Sequence, residues 1–140
     1  TRDILKEVHP DFVIDAIDIV THKLELIKTC QELGIPFITA LGAGNRQDPR
    51  KLDITKLSKT QGDPLAKVMR HEVRKRKMKD FPVVASTELP SKIVASSEEK
   101  GRHSPASAYF VPSYSGHLLA YWVIEEIKKE RDTDEHTNCE

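Results

Sequence analysis

Between Phe12 and Leu41 the apolar residues change period twice, and this constrains the fold more than any other feature of the chain. "FVIDAI" is a short run rich in β-branched residues, the composition of a strand. From about Val20 to Leu33 the apolar positions recur at helical spacing, Gly34 supplies the stop, and "IPFITAL" is a second apolar strand. A strand, a helix and a strand in that order predict a right-handed crossover, with parallel strands and the helix on one sheet face.

The rest of the chain continues in the same style. "GAGNRQDP" is a loop by composition, "KLDITKL" alternates like a half-exposed strand, and "DPLAKVMRHEVRKRK" opens with an acid and a proline as helix N-termini do. "FPVVAST" reads as another strand. Glu88 to Ser107 is a polar, serine-rich loop longer than compact domains use, and is expected to be functional or mobile. A helix is expected from Gly116 to about Lys129, buried because "HLLAYWVI" is apolar nearly all round, with a charged, disordered tail over 132–140. The expectation is an α/β domain over 1–131: with 140 residues, 38% of them apolar, the chain can bury one modest core but not two.

Charge and sulfur exclude several classes. Lys+Arg and Asp+Glu both number 22, which gives no support to a protein that coats nucleic acid or membranes. Locally the balance breaks: "KVMRHEVRKRKMKD" carries seven Lys or Arg residues, whereas "EEIKKERDTDEHTNCE" is mostly acidic. Cys30 and Cys139 are far apart with no CxxC pair, so neither a disulfide scaffold nor a cysteine-built zinc site is expected. No apolar run approaches the roughly 18 residues of a membrane span and no secretory signal pattern is present, which favours the cytoplasm.

Candidate chemistry centres on acids near the first strand. Ligands of open parallel sheets gather at the carboxyl ends of strands, and Asp18 stands where the first strand gives way to its helix. It reads either as a site carboxylate or as a helix cap. Asp15, inside the strand, reads as functional or as a buried, hydrogen-bonded structural acid. On the following helix Val20, Leu24, Leu26, Ile27, Cys30 and Leu33 form an apolar arc, and Lys23 falls inside it. A cation there must snorkel, pair with a carboxylate such as Asp18, or face a cavity holding an anion. A lysine and an aspartate converging at a strand end suit a nucleotide, one toward phosphate and the other toward magnesium.

The stretches "DFVIDAID…GIPFITALGAGN..DP" and "KT.GDPLAKVMR..VRK" resemble the second half of the E1-like adenylating enzymes of the ThiF/MoeB superfamily, and within it the tRNA threonylcarbamoyladenosine dehydratases. The match runs from about Asp11 to Ile127. The resemblance implies a Rossmann-like layered fold whose sheet continues into mixed strands. It also implies ATP- and magnesium-dependent adenylation of the threonylcarbamoyl carboxylate of a modified adenosine in tRNA, followed by ring closure. By position in the motif, Asp18 would stand beside metal and phosphates, Lys23 would be the basic residue of the next helix, and Gly42, Ala43 and Gly44 would form the loop near the activated carboxyl. No role follows for Lys59, Thr60 or Asp63, although Asp63 before Pro64 suits a helix N-cap. A homodimer is implied for the complete enzyme, and a sulfur-transfer protein is a further implied partner.

The chain departs from the pattern in two ways. Its six glycines form no GxGGxG nucleotide loop, so the N-terminal nucleotide-binding half is expected to be missing, as in a truncated product, a gene fragment or one half of a split protein. Where some relatives carry a loop cysteine, this chain has "RHSPAS", and neither Cys30 nor Cys139 suits the thiol or zinc roles of branches that activate sulfur carriers or ubiquitin-like proteins. Those branches, and a non-catalytic half-domain partner, are the alternatives. Lys67, Arg70, Arg74 and Lys77 share one side of the basic helix, either merely solvated or placed for tRNA phosphates. Leu65, Val68, Met69 and Val73 lie opposite. His103 is a lone loop histidine, of the kind usually exposed to solvent.

Overall fold

The computed structural model describes residues 1–90 and 108–137. A short helix α1 (Arg2–Val8), none of whose residues is buried, leads into strand β1 (Val13–Asp15). β1 is half the length that "FVIDAI" suggests, because the Asp15 carboxylate accepts a hydrogen bond from the Ile17 N–H at 2.9 Å and the chain turns out of the sheet there. Asp15, not Asp18, is therefore the residue at the strand's carboxyl end.

Helix α2 (Val20–Leu33) follows the expected arc: Leu24, Ile27 and Cys30 are fully buried, and Gly34 closes it at φ 70° with its N–H donated to the Cys30 carbonyl. Thr29, not among the residues of that arc, is also buried, with its hydroxyl donated to the Glu25 carbonyl. Strand β2 (Phe37–Ala40) lies parallel to β1, with Val13 opposite Phe37 and Asp15 opposite Thr39. After a 3-10 turn over Pro49–Lys51 come β3 (Leu52–Lys56), a second such turn over Leu57–Lys59, α3 (Pro64–Lys75), β4 (Pro82–Ser86) and α4 (Phe110–Thr137). The sheet order is β1-β2-β4-β3, parallel except for β3, which runs antiparallel to β4. The strand-helix-strand unit and the mixed sheet are as expected.

Two apolar layers hold the sheet. Phe37, Val83 and Ala85 point toward α2 and α3, where Leu24, Ile27, Met69 and Val73 cover them. Ile38, Val84 and Leu52 point the other way, against Val111 and Leu119 of α4. Fully buried residues such as Leu24, Ile27 and Met69 contribute roughly 1.5–3 kcal/mol each.

Helix α4 departs most from expectation. It starts six residues before Gly116, with Pro112 in the first turn where a missing N–H costs nothing. It then continues through Thr137, across most of the stretch read as a disordered tail. Nor is it buried all round: Val111, Ser115 and Leu119 are buried, whereas Tyr121 and Ile124 are more than half exposed. The sheet covers one side of α4, and no described residue covers the opposite side. Most of the serine-rich loop, with His103 and "RHSPAS", lies outside the described residues. No helix among the described residues is long and apolar enough to cross a membrane.

Candidate active site

The carboxyl ends of β1 and β2 and the start of α3 enclose a cleft of about 400 Å³. Its walls bring together Asp18, the loop Gly42–Ala43–Gly44, Arg46, Asp63 and Pro90. Asp18 and the loop 42–44, predicted separately as site residues, thus share one concavity with Arg46, Asp63 and Pro90, which were not, at the place where ligands of parallel sheets bind.

Asp18 is exposed and makes no hydrogen bond or ion pair among the described residues. It is not a helix cap: Ile19 occupies the N-cap position of α2, and no side chain caps that end. The expected pairing of Asp18 with Lys23 is also corrected. Lys23 donates from Nζ to the Asp15 carboxylate at 2.7 Å and to the Ala40 carbonyl at 3.0 Å, and it has no exposed surface. β1 ends at Asp15, so this acid, rather than the one three residues later, meets the first turn of α2. Burial pulls the Lys23 ammonium below the usual lysine value against the opposing pull of Asp15, with Asp18 adding only a weaker field. Asp15 is completed by the Thr39 hydroxyl at 3.1 Å and the Ile17 N–H, so every partner of this internal charge pair is accounted for. Lys23 lies behind the cleft wall, tied to the end of β2, and is not among the cleft's lining residues.

The loop after β2 turns at Asn45, in the left-handed region at φ 59°. Neither Gly42 nor Gly44 has a positive φ, and a Cβ on Gly42 would meet only ordinary contacts, the nearest being Arg46 Nη1 at 3.5 Å. The glycines are therefore not required by backbone conformation. Arg46 sets the loop's shape. Its Nη1 donates to the Gly42 and Gly44 carbonyls and its Nε to the Glu88 carbonyl at 3.0 Å. The Glu88 carboxylate in turn accepts the Gln47 and Asp48 N–H groups at 3.0–3.1 Å. Asp63 caps α3 by accepting the Leu65 N–H at 2.9 Å, as its place before Pro64 predicts. The same carboxylate also stands 3.5 Å from Arg46 Nη2, both side chains being 2% exposed.

The basic face is looser than expected. Lys67 and Arg74 are exposed on α3, but Lys77 lies past the helix end at φ 54°, and Arg70 donates to the Thr60 carbonyl at 2.8 Å and to its hydroxyl. Thr60 thus anchors Arg70. Val68, placed opposite by the helical count, is 48% exposed because the buried stripe narrows to Ala66, Met69 and Val73.

Comparison with known proteins gives a consistent picture. No protein-family model matches the chain. It is 37% identical over 131 residues to the tRNA threonylcarbamoyladenosine dehydratase of Bacillus subtilis, covering 86% of this chain and 52% of that protein. It is 43% identical over 76 residues to the Escherichia coli protein of the same name, covering 54% and 27%. Crystal structures of the E. coli dehydratase in complex with AMP and with ATP superpose with TM-scores of 0.79 and 0.78 at 28% and 27% identity, over 95% of this chain and 56% and 55% of those chains. The chain spans about half the length of the relatives it matches. It is a relative of the tRNA threonylcarbamoyladenosine dehydratases, with the mixed α/β fold of their solved structures, and the resemblance carried by its motifs holds.

Proposed function

We propose that these residues form one wall of an adenylating site that activates the threonylcarbamoyl carboxylate of a modified adenosine in tRNA, leading to cyclisation with loss of water. The observation that carries this reading is the cleft that unites Asp18 with the loop 42–44, in a chain whose relatives bear that name and whose structural neighbours hold ATP or AMP. ATP with magnesium would supply the adenylyl group, pyrophosphate leaving, so that the carboxylate oxygen could depart with AMP on ring closure. Asp18 fits a magnesium-bound water shell, being an exposed carboxylate committed to nothing else, and the α2 N-terminus beside it has backbone donors that no side chain caps. The loop 42–44 holds the substrate carboxyl in place. Lys23 acts from behind, fixing the end of β2 and with it the start of that loop, a positioning role in place of direct phosphate contact. Lys67, Arg74 and Lys77 remain as exposed cations for tRNA phosphates. The exposed Tyr121 and Ile124 on α4 support a homodimer of the complete enzyme.

The test is pyrophosphate exchange in a domain completed with the part of the Bacillus subtilis relative that this chain does not match. Asp18→Asn should abolish exchange and leave the circular dichroism spectrum intact. Normal exchange in that variant would overturn the assignment.

A further inference from the structure

The segment "KTQGD" separates two concavities. Asp63 and Pro90 line the cleft, while the residues just before them, Gly62 and Leu89, line a second recess of about 510 Å³. This recess lies on the α3 side of the sheet, because Asp53 and Thr55 in its wall stand opposite Ala85 and Val83 of the apolar layer beneath α3. Gly62 has φ 73°, and a Cβ on it would come within 3.0 Å of Leu89, so the partition between the two concavities needs glycine. Thr60 builds the turn: its hydroxyl donates to the Leu57 carbonyl at 2.6 Å, and its carbonyl and hydroxyl oxygens both accept from Arg70. Lys59 and Gln61 on either side of it are exposed in the recess, and neither side chain makes a hydrogen bond or ion pair among the described residues. Across from them one Asp53 oxygen accepts the adjacent Ile54 N–H at 2.7 Å, and the other is open. The exposed apolar surface of Leu89 completes the wall.

An ammonium and a carboxylate that share a recess without pairing suit a ligand with an anion and hydroxyl donors side by side, as phosphate and ribose are in a nucleotide. We propose that the recess binds one nucleotide of single-stranded RNA: Lys59 meets a phosphate, the open oxygen of Asp53 accepts from the ribose 2′-hydroxyl, and Leu89 packs against the base. This rests on the proposed function only in taking the RNA to be tRNA. The bound nucleotide is then a near neighbour of the one whose carboxylate enters the cleft, since the two concavities share a wall. A carboxylate beside a phosphate chain repels it unless a hydroxyl donates to it, so Asp53 selects ribose over deoxyribose.

The probes are a uridine heptanucleotide and its 2′-deoxy counterpart, which carry the same bases, titrated into the isotope-labelled 140-residue chain and followed by amide chemical shifts. The RNA should shift the signals of Asp53, Thr55 and residues 59–62, and the DNA should bind about threefold to tenfold more weakly for want of one hydrogen bond. Two exposed positions separate the roles. Asp53→Val keeps strand propensity and should bring the probes to equal affinity, chiefly by tightening the DNA. Lys59→Gln should weaken both alike, keep the preference, and lower the salt slope by about 0.7. Equal affinity of the unaltered chain for the two probes, a preference that survives Asp53→Val, or no shifts in the recess would overturn the proposal. RNA binding in the recess together with normal pyrophosphate exchange in Asp18→Asn would sink the adenylation assignment and leave this site standing.

Discussion

Removing the charge of Asp15 isolates the lysine that the sequence places on an apolar arc. At 2.7 Å and an effective dielectric of about 20, the Lys23–Asp15 attraction is about 6 kcal/mol before desolvation is subtracted. Asp15→Asn keeps the size and an acceptor for the Ile17 N–H, so it removes mainly the charge and leaves a fully buried ammonium uncompensated. Breaking such a pair from one side costs about 3–5 kcal/mol, a large fraction of the roughly 5–15 kcal/mol of a whole domain. With a urea slope near 2 kcal/mol/M, the unfolding midpoint should fall by about 2 M. Lys23→Met should cost a similar amount by stranding the carboxylate. The double variant Asp15→Asn, Lys23→Met buries no net charge and should recover at least half of the summed loss. Urea unfolding followed by circular dichroism on all four proteins gives the coupling energy. A single-variant loss below about 1 kcal/mol, or losses that simply add in the double variant, would refute the reasoning.

Burial raises the Cys30 thiol to about 11, with Asp15 adding to the shift. In a Cys139→Ser background, an aromatic disulfide reagent at pH 8 should find no reactive thiol until the chain is unfolded; fast labelling of the native chain would contradict the packing. Because the folded state holds this proton more tightly, the stability it contributes is full below about pH 9 and should fall as pH rises toward 11, a decline that Cys30→Ala removes. On the basic face, Lys67→Glu with Arg74→Glu should weaken binding to any tRNA and flatten the salt dependence by about one unit per lost phosphate contact, whereas an unchanged slope leaves those residues as solvated charges. Calorimetry of these 140 residues, which contain no GxGGxG loop, should detect no micromolar affinity for magnesium-ATP; such affinity would show that Asp18 and the α2 N-terminus suffice.

The sequence was most legible where period and punctuation agree. The crossover from β1 through α2 to β2 follows from a changed apolar period and one glycine, and Asp63 ahead of Pro64 announces the start of α3. Lys23 was legible as an anomaly, but its partner was not: "FVIDAI" does not reveal that Asp15 folds back on the Ile17 N–H and ends the strand early. That one local bond moves the strand end by two residues, from Ile17 to Asp15, and exchanges the roles of two aspartates. Pro112 and Gly116 hide the start of α4: a proline in the first turn costs a helix little, and the roughly 1 kcal/mol of an exposed glycine is offset by the burial of Val111 and Leu119 on either side. Arg46 and Glu88 left no signal that sequence reading could use. A charged residue in a polar loop is ordinarily exposed, and only the clustered carbonyls of the folded loop make it worth burying one.

Helix α4 is one element in two regimes. Its 28 residues extend about 42 Å, yet every side chain known to be buried lies in the first ten of them. Beyond Ile127 the turns are held by backbone bonds and by short-range pairs such as Glu125 with Lys128 and Glu126 with Lys129, which contribute a few tenths of a kcal/mol each. Amide hydrogen exchange should therefore grade along a single helix. Protection near Val111–Leu119 should approach that of the sheet, and it should decay turn by turn toward Thr137 to values typical of a fraying peptide. Anything that later docks on the distal turns would register first as slowed exchange there, with no new structure needed to see it.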